Sequence, residues 1–216
     1  MAGHPCVAMR TFFFSALMCL LPVMRGHAQA AAPGDVTDSA VAAVKALGEQ
    51  VVLGKHEVAI ERMYDEWKVR AAKQAGGMDK LEAQLARVPK MMAQQGVQLI
   101  SFKPQGMPSS YEVQLGKEEV VENGKKVEKA IYKKWLVLIP TVIEFRTTVP
   151  AEKGGVPKFA VIQSTGFQAA ISDKDKNDWT FIDGASLTVL ELRRLFGTLP
   201  ENMQLPPVKR KQVEGK

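Results

Sequence analysis

The sequence predicts an α+β domain: N-terminal helices, then an antiparallel β-meander, then a short C-terminal helix. Two observations carry that prediction. Between residues 38 and 96, apolar side chains recur at helical spacing in segments that each end at glycine. After Gly96 the period changes to two, in runs separated by turn residues.

The first helix is expected from near Asp38 to Leu53, closed by Gly54. The second runs from about Lys55 to Ala75 and stops at Gly76-Gly77. Its apolar face holds Ile60, Met63, Tyr64, Trp67 and Ala71, and a face of that kind packs on something. Asp79 and Glu82 make a capping-box-like start for the third. Leu81, Leu85, Val88 and Met92 form its stripe, and Pro89 should kink or split it because proline lacks the backbone donor.

Val97 to Lys103 and Tyr111 to Val121 alternate as strands do, and Asn123-Gly124 supplies the positive φ pair of a type I′ hairpin. In the strand Ile131 to Val149, both faces are largely apolar between Trp135 and Ile143, so cover is expected on both sides. Pro140 predicts a bulge or an edge there. The strand Lys158 to Ser172 places Phe159, Val161, Phe167, Ala169 and Ile171 on one face, with a bend at Gly166.

The stretch "SDKDKNDWTFIDG", Ser172 to Gly184, has the look of a metal loop but not the residues of one. Counted from Asp173 as an EF-hand loop, it offers Asp178 where glycine is required and Gly184 where a bidentate Glu is required. As a sialidase-type Asp-box it has Lys174 and Lys176 in place of Asp and Gly. Asp and Asn fold back on their own backbone, so the run reads as a hairpin turn before a strand that begins at Trp179. Thr188 and Glu191 then form a capping box for a helix from Val189 to Phe196, and "TLPENMQLPPVK" continues extended.

The first 30 residues read as a cleaved export signal. A basic start precedes an apolar run of about 13 residues, short of the roughly 20 needed to cross a bilayer. Ala28-Gln29-Ala30 fits the cleavage rule. Cys6, Cys19, His4 and His27 would leave with it, so the mature chain has no thiol and one histidine, His56. That excludes a disulfide framework, thiol catalysis and cysteine-ligated zinc. Residues 31–37 read as a leader, 38–207 as a single domain and 208–216 as a basic, disordered tail. The formal net charge of +6 lies mostly in the signal and the tail, so the domain offers no nucleic-acid surface. The tail offers at most a weak contact with an anionic surface.

Candidate chemistry is sparse. His56 has the chemistry of a general base, but its place near a helix start suits a surface or structural role. Glu144 and Arg146 share a strand face and are expected to neutralise one another; Asp183 reads as a turn residue. Ser164 and Ser172 have no histidine partner, and Gly154-Gly155 lacks the strand-to-helix setting of a phosphate loop. Gln163 and Thr165 interrupt an apolar strand face. The expected ligand site sets Tyr64 and Trp67 across a space from Gln163 and Thr165, aromatic walls with a few polar groups. No metal or cofactor is expected.

With "YDEWK" on a long helix, a curved meander, and "WTFIDG" and "LRRLFGTLP" to close, the chain resembles secreted bacterial proteins of unknown function. Over residues 38–205 it also resembles the NTF2-like, cystatin-like α+β superfamily. That resemblance implies a bent sheet wrapped around a helix, with a conical pocket. It leaves two functions in view. One is an exported, non-enzymatic protein, periplasmic or secreted, that binds a protein partner or a small apolar ligand. The other is an isomerase- or dehydratase-type enzyme for a small hydrophobic substrate.

Overall fold

The computed structural model describes residues 31–149 and 158–213. The expected export signal and the Gly154-Gly155 loop lie outside the described residues. Six strands form a curved, open antiparallel sheet among them. These are β1 (Gln98–Pro104), β2 (Ser109–Glu122), β3 (Lys125–Val149), β4 (Lys158–Asp173), β5 (Thr180–Asp183) and β6 (Lys209–Val213). Five α-helices accompany them: α1 (Gly34–Val52), α2 (Glu57–Glu61), α3 (Asp65–Ala75), α4 (Met78–Gln94) and α5 (Val189–Leu195).

The long β3–β4 pair is the spine, in unbroken register from Lys134 against Asp173 to Val149 against Lys158. The expected meander holds from β2 to β5, with Asn123 and Gly124 at φ 52° and 75° closing the β2–β3 hairpin. β1 departs from it, because β1 and β2 share one edge of β3 end to end. Pro140 lies between them: β2 pairs as far as Leu138 and β1 begins at Thr141. The Pro140 carbonyl accepts from the Gln105 amide at 2.9 Å on that side. The donor proline lacks would point the same way, into the gap between the two strands. A gap in the pairing, not the expected bulge or edge, accommodates the proline.

Both faces of the spine are covered, as the doubly apolar stretch predicts. On one face, Leu136, Leu138, Phe167, Ala169, Ile171 and Ile182 pack under Leu187, Leu192 of α5, Phe196, Leu199 and Met203. Each fully buried side chain of this size contributes about 1.5–3 kcal/mol. The Thr188–Glu191 capping box is formed, with Glu191 N donating to Thr188 Oγ1 at 3.2 Å and Thr188 N to Glu191 Oε2 at 2.8 Å. On the other face Trp135, Val137, Ile139, Ala170 and Phe181 meet Val36, Ala40, Val44 and Leu47 of α1. α1 crosses β1 so closely that a Cβ on Gly48 would lie 2.7 Å from the Phe102 carbonyl oxygen.

Four expectations need correction. The leader is largely helical: α1 starts at Gly34, not near Asp38, and Val36 extends its buried stripe by one turn. The second helix is two helices, interrupted where Met63 bridges Phe181. Phe181 N donates to Arg62 O at 2.8 Å and Tyr64 N to Phe181 O at 3.0 Å, so the free edge of β5 takes backbone groups a continuous helix would keep. α4 is not split at Pro89 but continues through it as one helix. The tail is not disordered from 208: Lys209–Val213 forms β6 on β4 at Val161–Thr165, an edge that β5 leaves open. No helix of the described residues is long and apolar enough to cross a membrane.

Candidate functional site: an apolar cavity under the helical roof

Past Ile139, β3 continues to Ile143 and Phe145 on the face that α1 covers further back, since side chains two apart share a face. β1 widens this floor with Leu99 against Phe145 and Phe102 against Ile143. The register shift between Leu99 and Ser101 is what lets two residues three apart point the same way. Over the floor lie Leu85, Val88 and Met92 of α4, spaced by three and four as one helical stripe. Ile60, Met63 and Trp67 fill the side nearest α2 and α3, and Leu47 and Val51 of α1 close one end. The cavity, partly open to solvent, has a volume of ≈ 400 Å³.

Three polar side chains line it: His56, Gln168 and Asp183. Gln168 and Asp183 are paired across β4 and β5, and Gln168 is buried. Gln168 Nε2 donates to Asp183 Oδ1 at 3.4 Å, and Ala185 N donates to the same oxygen at 3.3 Å. Both bonds are long. Asp183 is exposed as a residue, yet protein atoms surround much of its carboxyl. Desolvation pushes its pKa above the ordinary carboxylate value, and the Ala185 bond partly offsets that rise. No lysine or arginine is among the described residues that line the cavity.

No family model, curated protein or solved structure matches the chain. The cavity's own chemistry is what speaks to its use.

The four residues expected to form a ligand site do not converge. Trp67 lines the cavity. Tyr64 does not: the backbone at Arg62–Tyr64 runs along β5, so Met63 turns toward the cavity and Tyr64 toward the opposite core. The Tyr64 ring is 5.6 Å from that of Phe196, and burial, with the Glu66 carboxylate next, pushes its hydroxyl pKa up. Gln163 and Thr165 occupy the same parity of β4 as Phe167 and Ala169, the face away from the cavity. Gln163 Nε2 donates to Glu144 Oε1 at 3.1 Å, and Thr165 Oγ1 to the Lys209 carbonyl at 3.4 Å. Glu144 is thus taken by Gln163, and Arg146 pairs with Gln98 instead of neutralising it.

Gln168, Asp183 and His56 were the polar residues to find. Gln168 carried a signal, a lone amide in the apolar run Phe167 to Ile171. Nothing local distinguishes it from Gln163, because parity separates the two faces without saying which one the helices roof over.

The turn after β4 is formed as expected, with Asn177 at φ 50°. Two of its carboxylates, Asp173 and Asp178, are engaged by cations of the chain itself. Asp173 meets Lys134 at 2.6 Å and Lys176 at 3.0 Å, and Asp178 meets Arg62 at 2.6 Å. Trp179 Nε1 donates to Ser39 Oγ at 3.0 Å and ties the returning strand to α1.

Proposed function

We propose that the chain is an exported binding protein, periplasmic or secreted, and that it holds one small apolar molecule between the sheet and α2–α4. The cavity carries this reading: ≈ 400 Å³, walled by aliphatic, aromatic and thioether side chains with three polar groups. Small-molecule sites of about 300–1,000 Å³ have this make-up. The curved, open antiparallel sheet with its helices is compatible with an NTF2-like fold, and a pocket between sheet and helices is what that resemblance implies. Export rests on the first 30 residues alone.

The test is to express the full chain in a Gram-negative host and isolate the periplasmic form. A chain beginning at Ala31 that carries an apolar small molecule in native mass spectrometry, lost in Trp67→Ala, supports the reading. Full-length protein in the cytosol contradicts export. An empty cavity that no apolar compound stabilises contradicts binding.

One observation favours a second reading. His56 and Asp183 line the same cavity, and a histidine with a desolvated carboxylate can share acid–base work. An isomerase- or dehydratase-type enzyme would then lose turnover in His56→Gln while keeping substrate affinity. A pure binder has no turnover to lose.

A further inference from the structure

We propose that the ligand carries a cationic, hydrogen-bond-donating head on an apolar body, and that Asp183 is its counter-ion. This rests on the binding reading above and adds the ligand's chemical class to it.

The charge inventory of the cavity is one-sided. Asp183 is its only carboxylate, and no lysine or arginine lines it among the described residues. The contrast with the nearby turn is direct: Asp173 and Asp178 each hold a lysine or arginine within 3.0 Å, whereas Asp183 has two bonds of 3.3 and 3.4 Å and no ion pair among the described residues. A carboxylate crowded by protein and so weakly met is stabilised by any donor a ligand brings, most of all a charged one. Trp67, Phe102, Phe145 and Phe181 line the same space, and the faces of such rings attract cations. An ammonium head is therefore favoured by both kinds of group. A carboxylate head would meet a like charge, with His56 the one lining side chain among the described residues that could offset it.

The long-range field points the other way. Even without Arg10 and Arg25 of the expected export signal the chain's formal net charge is positive, which draws anions. A preference for a cation must therefore come from the cavity itself.

The test compares three molecules of one chain length, decylamine, decanol and decanoate, below their micelle concentrations, by calorimetric titration of the mature protein. Decylamine, protonated at neutral pH, should bind roughly ten-fold tighter than decanol, with decanoate weakest. Asp183→Asn should bring decylamine to the affinity of decanol, while circular dichroism and a cooperative thermal transition report that the variant is folded. Decanol binding with decylamine no tighter, or an amine preference that survives Asp183→Asn, overturns the head-group assignment and leaves the binding reading intact. Failure of all three to bind overturns both.

Discussion

The two faces of the β3–β4 spine are built from similar strands but closed by different parts of the chain. The C-terminal wrap brings Leu192, Phe196, Leu199 and Met203 onto one face, each no more than 7% exposed. The roof over the other face, beyond the end of α1, is looser. α4 buries only Leu81 along its length and leaves Val88 39% and Met91 48% exposed. The difference lies in how each cover is anchored. α5 is capped at its start and flanked by buried Leu187 and Phe196, so its side chains are delivered into the sheet. α4 leans on α3, with Lys68 and Glu82 3.7 Å apart between them, and stands off the floor by the width of the cavity. One face is spent on stability, and the other is left with room for something else.

That contrast fixes the order of mutational effects. Phe167→Ala, on the packed face, should cost about 3–5 kcal/mol in denaturant unfolding. Gly48→Ala, where α1 meets β1 2.7 Å from a backbone oxygen, should cost about 1–3 kcal/mol by overpacking. Trp67→Ala should cost less than Phe167→Ala, about 1–2 kcal/mol, because half-buried Trp67 packs on that core only in part and also borders the cavity. Equal losses for Phe167→Ala and Trp67→Ala would erase the distinction between the faces.

The smallest effects come from two aspartates of opposite kind. Hydrogen bonds from Lys134 and then Lys176 hold the Asp173 pKa below its ordinary value. Its contribution is therefore present above the ordinary carboxylate range and lost as pH falls through the lowered value. The Asp183 pKa is raised by desolvation, so its contribution is greatest below that range and lost as pH rises through the raised value. At neutral pH, Asp173→Asn should lower the melting temperature and Asp183→Asn should raise it. Both differences should shrink in acid. A fall in both at neutral pH would contradict the unpaired character of Asp183.

Much of this architecture is legible in the sequence wherever a local signal exists. Asn123-Gly124, the Thr188–Glu191 capping box, the Leu85, Val88 and Met92 stripe and the two-sided run from Trp135 each announce themselves by spacing or backbone chemistry. Two of the failures share a cause: the break in the second helix and the strand β6 each depend on an edge supplied from far along the chain. The break at Arg62–Tyr64 has no glycine or proline to mark it, and is imposed by the free edge of β5. It turns Tyr64 out of the cavity and into the opposite core, against which Trp67 also packs while lining the cavity. Likewise β6 exists because β5 is too short to cover β4, and nothing within "VKRKQV" says so. The site failed for a related reason. Gln163 and Gln168 look alike in sequence, and only the placement of the roof gives one of them the cavity.

The central claim is that the space under α4 is a binding site and not merely slack packing, and filling it tests that most directly. Val88→Phe adds volume from the exposed side of the roof into the cavity. Decanol affinity and melting temperature should be measured together on this variant and on the wild type. The account predicts that affinity falls at least ten-fold, about 1.4 kcal/mol, while the melting temperature of the free protein holds or rises. Unchanged decanol affinity in Val88→Phe, or a wild type that decanol does not bind, would contradict it.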